Sequence, residues 1–181
     1  GSGPLADWKG TGSFSIDGAV VATIDGTHQQ TDGGNRITAR GNGDFSRFAP
    51  EMLRPLIAGG TDFDIAGTLG KDGAIAIDQA RVDSAALAAQ ASGSINLSGA
   101  NDFSLQVDAK QGVVPFSFGP AERPVTLAVR SVTARVFGDG RQPMLDATAS
   151  LAVVDAGEGS TSGVAATLHS DGYDLQTRTG P

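Results

Sequence analysis

Few side chains in this chain could do chemistry, and their spacing argues against most reactions. There is no cysteine, so thiolate nucleophiles, disulfides and zinc–thiolate sites are all excluded. The two histidines, His28 and His169, stand far apart, and neither has a second histidine at metal-ligating spacing. His28 falls in the polar run THQQTDGG, which reads as an exposed loop, and His169 falls on the solvated side of an alternating strand. Serines are many, but no G-x-S-x-G elbow presents one as a nucleophile. GTLGKDG has its glycines and lysine at the wrong spacing for a phosphate loop, and Asp72 follows Lys71 where a hydroxyl residue is needed. Asp62 with Asp64, and Asp102 with Asp108, suggest paired carboxylates or a calcium site. Each stands at even spacing on a polar strand face, where charge keeps a sheet soluble and discourages edge pairing. Asn96 opens an N-L-S glycosylation sequon. The expectation is a protein with no catalytic residue, no metal and no cofactor.

The information therefore lies in the elements. The chain has 181 residues, 39% of them hydrophobic but only 6% aromatic, with 26 glycines. Glycine, serine, threonine and aspartate at this frequency point to many turns and an all-β chain. The net charge of -7 excludes nucleic acid as a partner, which needs a clustered basic surface, and there is no polybasic membrane anchor. No apolar run approaches the roughly 18 residues of a membrane-crossing helix, and no signal peptide is present. Residues 1–4, Gly1-Ser2-Gly3-Pro4, read as a remnant of cloning, and residues 5–181 as one β-rich segment of a longer repetitive protein.

Asp-Gly occurs six times, at Asp17, Asp25, Asp32, Asp72, Asp139 and Asp171, and each reads as a hairpin turn. Between the turns apolar and polar residues alternate with period two, the pattern of a half-buried strand. One face collects Phe14, Ile16, Phe63, Ile65, Leu69, Ile75, Ile77, Ile95, Leu97, Phe103, Leu105 and Val107. About a dozen strands joined by short turns predict an antiparallel meander. Its apolar face has two possible fates: the core of a closed sandwich or barrel, or the lining of an open trough. Pattern alone favours the packed core, although small residues such as Ala22, Ala39, Ala89, Ala147 and Ala149 leave room on that face.

Residues 44–60, DFSRFAPEMLRPLIAGG, break the alternation. At 100° per residue Phe45, Phe48, Ala49, Met52, Leu53 and Leu56 share one side, with Arg47, Glu51 and Arg54 on the other. Asp44 is placed to cap this helix and Gly59-Gly60 to stop it, while Pro55 keeps it short, kinked or split. Its apolar side is expected to cover one end of the sheet, as a fixed plug or as a gate over a trough.

Residues 44–110 resemble the TamB family of the translocation and assembly module, within the AsmA-like envelope proteins of Gram-negative bacteria. The short helix is followed by a glycine-bounded strand that includes Leu56, Gly59, Gly67 and Leu69. Gly93, Ile95 and Leu97 then match a G-x-I-x-L strand that opens the next unit. Residues 113–181 fit by alternation only, and the prolines of VVPFSFGPAERP leave the strand count there open. The resemblance implies a periplasmic body of curled antiparallel sheet, a β-trough or β-taco, in a parent protein anchored to the inner membrane. It implies a TamA-like outer-membrane barrel as partner, and phospholipid or unfolded outer-membrane protein strands as cargo. It supplies no catalytic residue, and it tips the choice from packed core to open trough.

Overall fold

Period-two alternation broken by two-residue turns leaves each strand beside its sequence neighbour, and the computed structural model has that arrangement. It describes residues 1–50, 54, 56, 57, 59–120 and 122–172. Eleven strands form one antiparallel sheet: β1 (Asp7–Ile16), β2 (Ala19–Thr31), β3 (Gly34–Gly43), β4 (Thr61–Gly70), β5 (Ile75–Asp83), β6 (Leu87–Ile95), β7 (Ala100–Ala109), β8 (Val114–Phe118), β9 (Val125–Asp139), β10 (Met144–Asp155) and β11 (Ser160–Ser170). The order is sequential except around β8. There β7 pairs with residues 131–139 of β9 and β8 with residues 125–129, so the two follow one another along the same side of β9. β8 is a short edge strand carrying Pro115, a position that tolerates a missing backbone donor.

The all-β reading and the single open antiparallel sheet hold. The Asp17-Gly18 turn is of the expected kind, since both residues have positive φ, at 52° and 81°. Asp25-Gly26 is not a turn: it lies in the middle of β2. The close approach is one residue across, at its partner Gly10 in β1, where a Cβ would run into the Trp8 indole. The run THQQT is likewise strand, so His28 sits in β2 rather than in a loop.

Among the described residues, residues 44–60 contain no α-helix: Ser46–Phe48 form a 3-10 turn, and Arg54 and Leu56 are also in 3-10 conformation. The Asp44 carboxylate accepts the Ser46 N–H at 2.9 Å and so opens this turn. Met52, Leu53 and the side chain of Phe48 lie outside the described residues. Phe45 meets Phe63 edge-on, with ring centroids 5.4 Å apart, and Arg47 and Arg54 are exposed. The Ser84 hydroxyl donates to the Leu56 carbonyl at 2.6 Å, Thr61 to that of Ile57 at 3.1 Å, and the Asp44 N–H to that of Val21 at 2.9 Å. This segment therefore lies over the ends of β2, β4 and β6. It covers much of what little core there is: Ala22, Thr61, Ser84 and Leu87 are all buried beside it.

Elsewhere the sheet is a single layer. Substantial contacts between strands, among the described residues, join sheet neighbours only. Among the described residues the buried apolar side chains are Ala22, Leu87, Val114 and Leu151. A compact protein of 18.2 kDa exposes about 8,100 Å²; this chain exposes 11312 Å². The sheet does not fold back on itself as a sandwich.

Candidate functional site

The uncovered face is built row by row across the strands, because directly opposed residues of an antiparallel pair point to the same side. Phe63 faces Gly41 and Val82, and the row continues through Ala89, Val107 and Val132. Ile65 faces Ala39 and Ala80, and its row continues through Ala91, Leu105, Ala134, Ala147 and Leu168. A third row joins Ile37, Gly67, Ile77, Gly93, Phe103, Val136 and Leu145. A fourth, at the turn end, joins Leu69, Ile75 and Ile95. No Asp, Glu, Lys or Arg stands in these rows. Ile65, Leu69 and Ile75 remain 41%, 44% and 46% exposed, so the face is open to solvent from its middle to the turn end.

Of the residues expected to line this face, Phe63, Ile65, Leu69, Ile75, Ile77, Ile95, Phe103, Leu105 and Val107 come together on it. Phe14 joins them at the β1 margin, opposite Ala22 and about half exposed. Ile16 lies past a register shift at the end of β1. Leu97 is not on the sheet: β6 ends at Ile95, and Leu97 sits 68% exposed in the following turn. The expected lining also stops short. Val82 and Ala80 belong to the face because a register shift between Ile77 and Ala80 changes the parity of β5, and Val132, Val136, Leu145 and Leu168 carry the face on to β11. The signal for the last four was the alternation after residue 124; the bulge has no such signal.

His28 closes the β1–β2 margin, between Trp8 and Ile37 in register. Its Nδ1 donates to the Leu5 carbonyl at 2.8 Å, and Nε2 lies 3.0 Å from the side-chain oxygen of Asn35.

The opposite face is polar in equally regular rows. Asp25, Arg40, Asp64, Arg81, Gln90 and Gln106 stand opposite one another across six strands. Arg40 pairs with Asp64 at 3.2 Å, and Arg135 with Asp102 at 3.0 Å. Of the carboxylates considered for calcium, Asp64 and Asp102 thus have cationic partners on their own face, while Asp62 accepts from the Asn42 amide and Asp108 from the Gln106 amide, each at 2.7 Å. Such exposed pairs add little stability and serve mainly to keep this face in water. Two hollows, of about 560 and 680 Å³, lie among these polar side chains, at Arg81, Gln106 and Thr148 and at Lys9, Arg40 and Asp64. The apolar face is therefore an open surface on which a ligand would lie, not a pocket that would enclose one. At the far end of the polar face the exposed His169 stands between Asp146 and Asp171, whose hydrogen bonds raise its pKa above the ordinary value.

No family model matches the chain, and no curated protein or solved structure matches it. Among the described residues there is no group of three or more His, Asp or Glu side chains placed to hold a metal ion. No helix is long and apolar enough to cross a membrane.

Proposed function

We propose that the chain is a non-enzymatic segment of a TamB-like periplasmic protein whose uncovered sheet face carries phospholipid acyl chains, or the apolar strands of outer-membrane proteins, between the two membranes. In this reading the parent protein is anchored in the inner membrane and meets a TamA-like barrel at the outer one. One observation carries it: uncharged apolar rows run across the sheet, and among the described residues nothing lies over them beyond the segment of residues 44–60 at one end. Monomeric soluble proteins rarely expose contiguous apolar patches larger than a few hundred Å², and larger ones mark interaction or membrane sites.

The energetics fit a sliding ligand better than a fixed one. Each buried methylene is worth about 0.8 kcal/mol, so an acyl chain lying half-buried over a dozen methylenes gains on the order of 5 kcal/mol. That is enough to hold a chain out of water. Because neighbouring positions in a row are chemically alike, moving along the row costs little.

Native mass spectrometry of the purified chain, followed by organic extraction, tests the proposal. Co-purified phospholipid is expected in the wild type and lost in Ile65→Asp and Leu105→Asp, which set a charge in the middle row. Lipid-free protein that also fails to take up a fluorescent phospholipid would overturn it.

A further inference from the structure

The polar face is not uniform. On β1 to β4 its side chains largely satisfy one another: Thr11 donates to Asp25, Thr27 pairs with Thr38 at 2.6 Å, Arg40 with Asp64 and Asn42 with Asp62. From β5 to β10 the arrangement is different. The row of Arg81, Gln90 and Gln106 continues in register to Thr133 and Thr148. A second row runs beside it through Ser92, Ser104, Arg135 and Asp146. Between them Ala91, Leu105, Ala134 and Ala147 turn to the apolar face, so the two rows wall a trench whose floor is main chain; this is the hollow of about 560 Å³. Among the described residues the Arg81 guanidinium and the hydroxyls of Ser92, Ser104, Thr133 and Thr148 have no hydrogen-bond partner in the protein. The neighbouring groups are held in place. Arg135 donates twice to Asp102 Oδ1, at 3.1 and 3.0 Å, and stands 5.3 Å over the Phe137 ring. Gln106 accepts from Gln90 at 3.2 Å and donates to Asp108. Asp78 is paired with Arg36, and Asp146 with His169.

We propose that this trench binds a linear, uncharged polysaccharide of β-1,4-linked sugars, laid across the strands. The site is on the face opposite the apolar rows and does not depend on what those rows carry. The open hydroxyls select the class of ligand. A hydroxyl both donates and accepts, so a wall of unpaired Ser and Thr complements a ligand made of hydroxyls. Being exposed, these groups hold only water, and a sugar hydroxyl replaces that water without breaking a protein hydrogen bond. On β1 to β4 the same exchange would first have to break the internal pairs. Spacing selects the linkage. Neighbouring strands stand about 4.8 Å apart, so equivalent groups recur at that interval along the trench. A β-1,4 chain is a straight ribbon that advances by nearly the same length per sugar and stays in step with the strands, whereas an α-1,4 chain coils out of step. Charge excludes a polyanion: Arg81 alone is no basic surface, and the chain carries -7.

Titration of the isotope-labelled chain with cellohexaose and with chitohexaose, followed by amide NMR, tests the proposal. Saturable shifts are expected at amides of β6, β7, β9 and β10. Maltohexaose, the α-1,4 isomer of cellohexaose, should bind roughly tenfold more weakly. Whichever β-1,4 probe binds more tightly shows whether the natural sugar is N-acetylated. Ser104→Ala with Thr133→Ala removes one exposed hydroxyl from each wall and should weaken binding roughly tenfold with an unchanged circular dichroism spectrum. The proposal is overturned by no shift with either β-1,4 probe, by maltohexaose binding equally well, or by shifts confined to the apolar rows. It is also overturned if a β-1,4-linked oligomannuronate, which is a polyanion, binds more tightly than the neutral probes, or if the double variant binds as the wild type does. Lipid extraction from that variant reports separately on carriage, because its apolar rows are unchanged.

Discussion

His169 is fully exposed, yet its surroundings set its protonation. Hydrogen bonds to Asp146 first, then Asp171, and the charges of both, favour the imidazolium and raise the pKa above 6.5. A raised folded-state pKa gives a stabilisation that is complete below the unfolded value and is lost as pH rises through the folded one. The expected outcome is a histidine NMR titration with its midpoint above 6.5, and a small fall in stability as pH rises across that window. Asp146→Asn should bring the midpoint back toward 6.5; a wild-type midpoint at or below 6.5 would show that the pair does not form in solution. The second residue-scale prediction concerns Gly41. A Cβ there would run into the Phe63 ring, which also packs on Phe45. Gly41→Val should cost about 1–3 kcal/mol in urea unfolding, the usual result of forcing volume into a packed contact. An unchanged midpoint would mean that the ring does not rest over Gly41.

At the scale of elements, the strands were readable because period-two alternation is a backbone property, and one sheet face without a partner does not blur it. What resisted reading were local decisions made by neighbours across the sheet. Asp25-Gly26 has the wording of a turn, but it is paired in register on both sides, with Thr11 and Gly10 of β1 and with Arg40 and Ala39 of β3. THQQTDGG is polar enough for a loop, but β3 supplies His28 with Ile37 in register and Asn35 as a polar neighbour. The β5 bulge switches the parity of Val82 with no mark in the sequence beyond the adjacent polar pair Asp78-Gln79. Residues 44–60 were recognisable as the element that covers one end of the sheet, through the apolar side that includes Phe45 and Leu56. The hydrogen bond that ties this segment down comes from a serine no pattern singles out. Ser84 is 2% exposed, and its hydroxyl donates to Leu56 and accepts the Leu87 N–H at 3.1 Å. Ser84→Ala leaves the Leu56 carbonyl and the Leu87 N–H without that partner, so it should cost about 1–3 kcal/mol. Hydrogen exchange should show the loss concentrated in residues 44–60 and the adjoining end of β6; a uniform loss would mean the segment is not held there.

The whole molecule is quasi-one-dimensional, since each strand is supported by the two beside it and by almost nothing above or below. Repeat proteins built this way gain stability as a sum of nearest-neighbour terms, and their ends fray before their middles. Here the middle is reinforced on one side only, where residues 44–60 lie over β2, β4 and β6, so the gradient should be lopsided. Amide exchange is expected to be slowest in β3 to β6 and fastest in β1 and β11, which among the described residues have one neighbour each. Trp8, the only tryptophan, reports on β1. Its fluorescence transition in urea should therefore precede the loss of strand signal in far-ultraviolet circular dichroism. The urea dependence should also be shallower than usual for 181 residues, because a sheet that already exposes 11312 Å² has less new surface to offer the denaturant. Coincident transitions with the slope of a compact two-layer domain would contradict the single-layer architecture, and with it the open face on which the proposed cargo would travel.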